Sequence, residues 1–120
     1  MRKIKSVLLI DNNDIDNFIN HKLLENYGIT HVIAFKNATA ALSYLSETNV
    51  KYHLILVDIY LTMIDGFEFI DKFNKLGLHK TQGKICILSS SINPADKEKA
   101  ADRNINFIEK PLTIEKLLIT

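Results

Sequence analysis

The chain has 120 residues, 47% hydrophobic and 24% charged, proportions that fit one compact domain and exclude a fibre or a disordered tail. Fifteen lysines and arginines against fourteen acids leave a formal charge of +1, and the basic residues are scattered, so no nucleic-acid footprint is indicated. A chain of this length buries about two thirds of its unfolded surface on folding, so it needs neither a disulfide nor a structural metal.

The start, Met1-Arg2-Lys3-Ile4-Lys5, is basic, but the apolar run at 7–10 is too short for a signal-peptide core. No run approaches the roughly 20 residues that cross a bilayer, and the expected location is the cytoplasm. The single cysteine, Cys86, lies in an apolar run and reads as a small core residue, which suits that compartment.

In chain order, the first predicted strand is the apolar run 7–10. The helix after it carries Ile15, Phe18, Ile19, Leu23 and Leu24 on one stripe, the kind of face a helix lays on a core, with Gly28 as its stop. Strand two is 32–35, and helix two carries Ala38, Ala41, Leu42 and Leu45 on one side. Strand three is 54–57; helix three presents Phe69, Ile70, Phe73 and Leu76 and ends near Gly77. Strand four is 85–88. Helix four starts with Asn93 as N-cap and Pro94 at its first position and runs to about Arg103. Only Ala95, Ala100 and Ala101 can pack there, so most of it is expected in solvent or against a partner. Strand five is 105–108, interrupted by Asn106. The last helix follows Thr113 with Ile114, Leu117 and Leu118, and about seven residues at 1.5 Å each span roughly 10 Å.

Unbroken runs of Val, Ile and Leu, in place of alternation, belong to strands covered on both faces. Five strand-then-helix units predict an α/β fold, a doubly wound five-stranded parallel sheet with helices on both faces. We read residues 1–120 as one domain whose final helix is short, as in a truncated or unusual chain.

Ligands of open parallel sheets bind beyond the carboxyl ends of the strands. The residues there are Asp11 and Asn12 after strand one, Asp58 after strand three, Ser89 and Ser90 after strand four, and Lys110-Pro111 after strand five. Singly, each is what a cap or turn uses. Jointly, carboxylates, an amide, a hydroxyl and an ammonium suit Mg²⁺ plus a phosphoryl group, and an Asp held there can become an aspartyl phosphate. His21, His31, His53 and His79 have no metal-ligand spacing.

Four ordered elements carry a resemblance: Val7-Leu8-Leu9-Ile10-Asp11-Asn12-Asn13, Leu54-Ile55-Leu56-Val57-Asp58 with Asp65-Gly66 beyond it, Ile87-Leu88-Ser89-Ser90, and Phe107-Ile108-Glu109-Lys110-Pro111. Over essentially its whole length the chain resembles the receiver domain of bacterial two-component response regulators. The resemblance implies a flavodoxin-like sheet of order 2-1-3-4-5 and a cis peptide at Lys110-Pro111. It makes Asp58 the phosphoacceptor, Lys110 the contact to the phosphoryl group, Ser89 the switch hydroxyl and Phe107 the switch aromatic. It puts Mg²⁺ between Asp11, Asn12, Asp58 and the backbone carbonyl of Tyr60. The partners it implies are a histidine kinase or histidine phosphotransfer protein and an unknown downstream protein, with no nucleic acid and no membrane. It implies a regulator that assists its own phosphoryl transfer and dephosphorylation rather than an enzyme.

Three positions depart from the family pattern. Asn12 stands where a second acid is usual, which predicts weakened Mg²⁺ binding. Tyr60 adds bulk two residues past the acceptor, and Thr62 replaces a usual proline. These departures suggest an alternative, a degenerate receiver that binds partners without phosphate. A remote alternative is a haloacid-dehalogenase-like phosphatase, since Asp58-Ile59-Tyr60-Leu61-Thr62 partly matches its nucleophile motif but lacks the acid that protonates the leaving group.

Overall fold

The computed structural model describes residues 4–120; Met1, Arg2 and Lys3, part of the basic start, lie outside them. Five strands, β1 (Ser6–Ile10), β2 (His31–Phe35), β3 (Leu54–Val57), β4 (Lys84–Ser89) and β5 (Asn106–Glu109), form one parallel sheet of order β2-β1-β3-β4-β5. The helices are α1 (Asp14–Tyr27), α2 (Ala38–Glu47), α3 (Gly66–Lys75), α4 (Pro94–Asp102) and α5 (Ile114–Leu118). A short 3₁₀ turn, Leu78–Lys80, lies between α3 and β4.

Because successive strand residues point to opposite faces, the sheet builds two cores. On one face Leu8, Ile10, Ile55, Val57, Ile85 and Ile87 pack with α2 and the phenylalanines of α3. On the other, Val7, Leu9, Leu54, Leu56, Cys86 and Leu88 pack with Leu24 of α1 and Leu117 of α5. Cys86 is fully buried, as its apolar run predicts. Among the described residues no helix is long and apolar enough to cross a membrane.

Helix starts follow the polar residues. Asn13 caps α1, Asn93 caps α4 ahead of Pro94, and Asp65 forms a reciprocal capping box with Glu68 at α3. Gly28 closes α1 at φ 109°, a conformation that glycine adopts without steric cost. Strand β5 begins one residue later than its apolar run. Ile105 is instead drawn back to α4, its N–H donating to the Ala100 carbonyl at 2.9 Å.

The inward face of α1 differs from the predicted stripe. Ile15, Phe18 and Ile19 are exposed, while Asn17, Asn20 and Leu24 are buried. The reason is position: the first turns of α1 lie against the polar ends of the strands, not the core. Asn17 Nδ2 donates to the Asp11 carbonyl at 2.8 Å, and an apolar side chain there would leave that buried acceptor unpaired. Two smaller corrections lie on other helices. Leu76 and Leu118 are exposed at helix ends, and of the three alanines on α4 only Ala100 is buried.

Candidate functional site at the strand ends

The ladder continues one residue past the strands and so fixes the residues that follow them. Asp11 N–H donates to the Phe35 carbonyl at 3.0 Å, Asp58 N–H to the Ile10 carbonyl at 3.0 Å, and Lys110 N–H to the Ser89 carbonyl at 2.9 Å. Chain segments far apart in sequence are thereby locked side by side. The Lys110-Pro111 bond is cis.

Lys110 sits at the centre. Its Nζ lies 2.7 Å from Asp11 Oδ2, 2.7 Å from Asp16 Oδ2 and 3.2 Å from Asp58 Oδ2. Asp11 and Asp58 are buried. Burial pushes the Asp11 carboxyl above the usual carboxylate range, although the Lys110 hydrogen bond and the Asn13 backbone pull it down. Burial alone would lower the Lys110 pKa, but hydrogen bonds to Asp11 and Asp16 and the charge of Asp58 outweigh it and hold the ammonium charged. Three carboxylates around one ammonium leave a surplus of two negative charges.

The other predicted residues fall around this cluster. Asn12 is exposed on the rim. It lines an open cleft of about 410 Å³ together with Tyr60, Thr62, Asp65, Asp96 and Lys99. Ser89 ends β4 fully buried, its Oγ accepting from the Ser91 N–H at 3.3 Å. Phe107 is half-buried in β5, with the Lys97 ammonium 5.9 Å from its ring centroid. Tyr60 reaches across the mouth: its hydroxyl donates at 3.3 Å to Asp96 Oδ2, which also accepts from Ser91 Oγ. Gly66, in the Asp65-Gly66 element, packs against the backbone carbonyl of Asp58, and a Cβ there would collide with that oxygen.

Asp16 is the site residue that sequence reasoning missed. It occupies the first turn of α1, where an acid is explained by the helix dipole alone, so nothing in the spacing directs it to Lys110. The histidines stay out of the site. His31 Nε2 meets the Tyr52 hydroxyl at 3.1 Å, His53 Nδ1 meets Ser6 Oγ at 3.0 Å and His21 pairs with Glu25 at 3.3 Å.

A doubly wound parallel sheet with two acids and a lysine at its carboxyl edge places the chain in the class of open α/β proteins that bind their ligands at that edge. Within that class, the sequence model of the response regulator receiver domain matches residues 7–120. The chain belongs to that family. It is 30% identical over 114 residues to two-component response regulator 24 of Arabidopsis thaliana, covering 94% of this chain and 78% of that protein. It is 24% identical to ethylene receptor 2 of Oryza sativa subsp. japonica, spanning 92% of this chain but only 14% of the receptor. Among solved structures, a two-component response regulator from Cytophaga hutchinsonii superposes with a TM-score of 0.85 at 33% identity, covering 98% of this chain and 94% of that one. The phosphorylated cyanobacterial phytochrome response regulator RcpA gives 0.79 at 25% identity, with 98% and 88% covered.

Receiver domains generally bind Mg²⁺, and the donor chemistry here suits it. Asp11 and Asp58 supply hard carboxylate oxygens, and a divalent cation neutralises a surplus of two negative charges. Among the described residues no three acid, cysteine or histidine side chains are already arranged as metal ligands; in this cluster the ammonium takes the centre.

Proposed function

We propose that this chain is a phosphoacceptor regulator of a two-component phosphorelay, which takes a phosphoryl group from a phosphohistidine onto Asp58. The observation that carries this reading is the Lys110 ammonium held between Asp58 and two further acids at the sheet edge. In the transfer, an Asp58 carboxylate oxygen attacks phosphorus. The new P–O bond forms as the P–N bond breaks, and the departing imidazole takes up a proton. Such a reaction needs position and charge more than covalent help. Lys110 faces the outer phosphoryl oxygens, while Asp11, Asn12, Asp58 and the Tyr60 carbonyl would hold Mg²⁺, which would supply positive charge to offset that of the phosphoryl group.

The readout follows from the same elements. Ser89 moves its hydroxyl towards the phosphoryl group and Phe107 turns inward, re-setting the surface of α4, β5 and α5. This is a local charge change biasing a two-state element. We take residues 1–120 as one receiver domain working in the cytoplasm, regulatory rather than enzymatic, without nucleic acid or membrane among its partners. Its donor is a histidine kinase or phosphotransfer protein. That donor meets the exposed Ile15, Phe18 and Ile19 on α1, the helix whose first turn reaches the site.

The test is direct. With a small acyl phosphate and Mg²⁺, the intact mass rises by one phosphoryl group, and reductive trapping places the modification at Asp58. An unchanged mass at saturating donor sinks the phosphoacceptor reading and favours a phosphate-independent binding module. A second expectation concerns the rim. Asn12→Asp adds a full charge to the metal site and raises Mg²⁺ affinity about tenfold, read by calorimetry; unchanged affinity shows that position 12 does not meet the ion.

A further inference from the structure

We infer that Asp16 is a positioning residue that holds Lys110 at rest and competes with the phosphoryl group for it. The inference rests on the phosphoacceptor reading of Asp58 and goes beyond it, because it names the group that opposes the modification.

A lysine ammonium has three N–H donors and no acceptor. Here all three are matched to carboxylates, and the two short contacts are those to Asp11 and Asp16, both 2.7 Å; the contact to Asp58 is the long one, 3.2 Å. The ammonium therefore rests displaced towards Asp16, away from the acceptor. Phosphoryl oxygens on Asp58 can be met only if one carboxylate gives up its donor.

The three acids differ in what release costs them. Asp11 has 7% of its side chain exposed and lies at the end of a central strand, so a lost partner there is not replaced by water. Asp58 carries the incoming group. Asp16 has 37% of its side chain exposed and stands in the first turn of α1, where water and the positive end of the helix stabilise a freed carboxylate. Asp16 is thus the acid that lets go, and its hold on Lys110 is subtracted from the stability of the phosphorylated state. Because Lys110 is only 16% exposed, solvent does not screen this contest away.

Calorimetric titration with beryllofluoride, a tetrahedral mimic of the phosphoryl group, in saturating Mg²⁺ tests this. Asp16→Asn leaves the ammonium one charged partner short and should tighten beryllofluoride binding about tenfold, the size of a charge-assisted hydrogen bond. Asp16→Glu keeps the charge and should restore affinity towards that of the unaltered chain. A purely structural role for Asp16 predicts the opposite sign, weaker binding with a lower melting temperature. Equal or weaker binding by Asp16→Asn, or no difference between Asn and Glu at this position, overturns the inference. If Asp16→Asn does not fold, Asp16→Ser serves, with the same expected sign. Tight binding by the unaltered chain together with no gain in the variants refutes the competition alone. Binding by neither refutes the phosphoacceptor reading, and the competition with it.

Discussion

Lys110→Ala is expected to slow phosphorylation of Asp58 by a small phosphodonor about a hundredfold or more, the usual consequence of removing a charge-stabilising donor. The same change should destabilise the metal-free protein by about 2–3 kcal/mol, somewhat less than for a wholly buried pair, because Asp16 is partly solvated. The reason is that Lys110 is the shared counter-charge of three acids. Without it Asp11 and Asp58 face each other buried and unpaired. In the unaltered chain the raised Lys110 pKa contributes stability that is fully present below the ordinary lysine value of 10.5 and is lost only as the pH rises beyond it. In the variant the sign turns to the carboxylates. The Asp11 carboxyl, already pushed up by burial, loses the Lys110 hydrogen bond that lowers it and rises further, so stability falls as the pH climbs through its folded pKa and returns on acidification. Urea melts at neutral and mildly acidic pH, with and without Mg²⁺, check both parts, since the cation should restore much of the loss. Equal stability of the two proteins at neutral pH without metal would refute this account.

Gly66→Ala should have the second largest effect. The added Cβ meets the backbone carbonyl of Asp58, and the atoms that follow it in Ile59. Neither is a flexible side-chain end that can swing aside. Gly66 N–H also donates to the Ile59 carbonyl at 2.9 Å, which ties the start of α3 to the loop after the acceptor. Relief therefore has to come from moving that loop, at a cost of about 1–3 kcal/mol for overpacking. Misplacing the acceptor by a fraction of an ångström to 1 Å should cut the phosphorylation rate by roughly tenfold to a hundredfold. A melt and a single-turnover rate measured on one preparation separate the two effects. A normal rate in a destabilised protein would show that the carbonyl can shift without carrying the carboxylate.

Much of this architecture was legible because strands covered on both faces write themselves as unbroken apolar runs. All five strands lie within a residue or two of those runs, and Asp11, Asp58 and Lys110 meet because parallel pairing sets Ile10 beside Val57 and Ser89 beside Glu109. What periodicity could not show is where a helix stops facing the core and starts facing the site. On α1, Asn17 and Asn20 turn inward because the strand ends beneath them are polar, leaving Phe18 and its apolar neighbours outside. Asp16 was hidden for a related reason. A carboxylate in a first turn already has a local explanation, and only three-dimensional proximity separates a dipole partner from a lysine partner. Tyr60 could be flagged as unusual from its position, but not its reach to Asp96, which depends on how the loop after β3 and the start of α4 approach each other.

That last contact joins two loops. One oxygen of Asp96 receives both the Tyr60 hydroxyl and the Ser91 hydroxyl, and a carboxylate oxygen has two lone pairs to give, so the two walls of the cleft share a single rivet. The loop after β3 and the loop after β4 are therefore tied to the first turn of α4 through one carboxylate oxygen, so neither Tyr60 nor Ser91 can leave its place without freeing a lone pair on the oxygen that the other still holds.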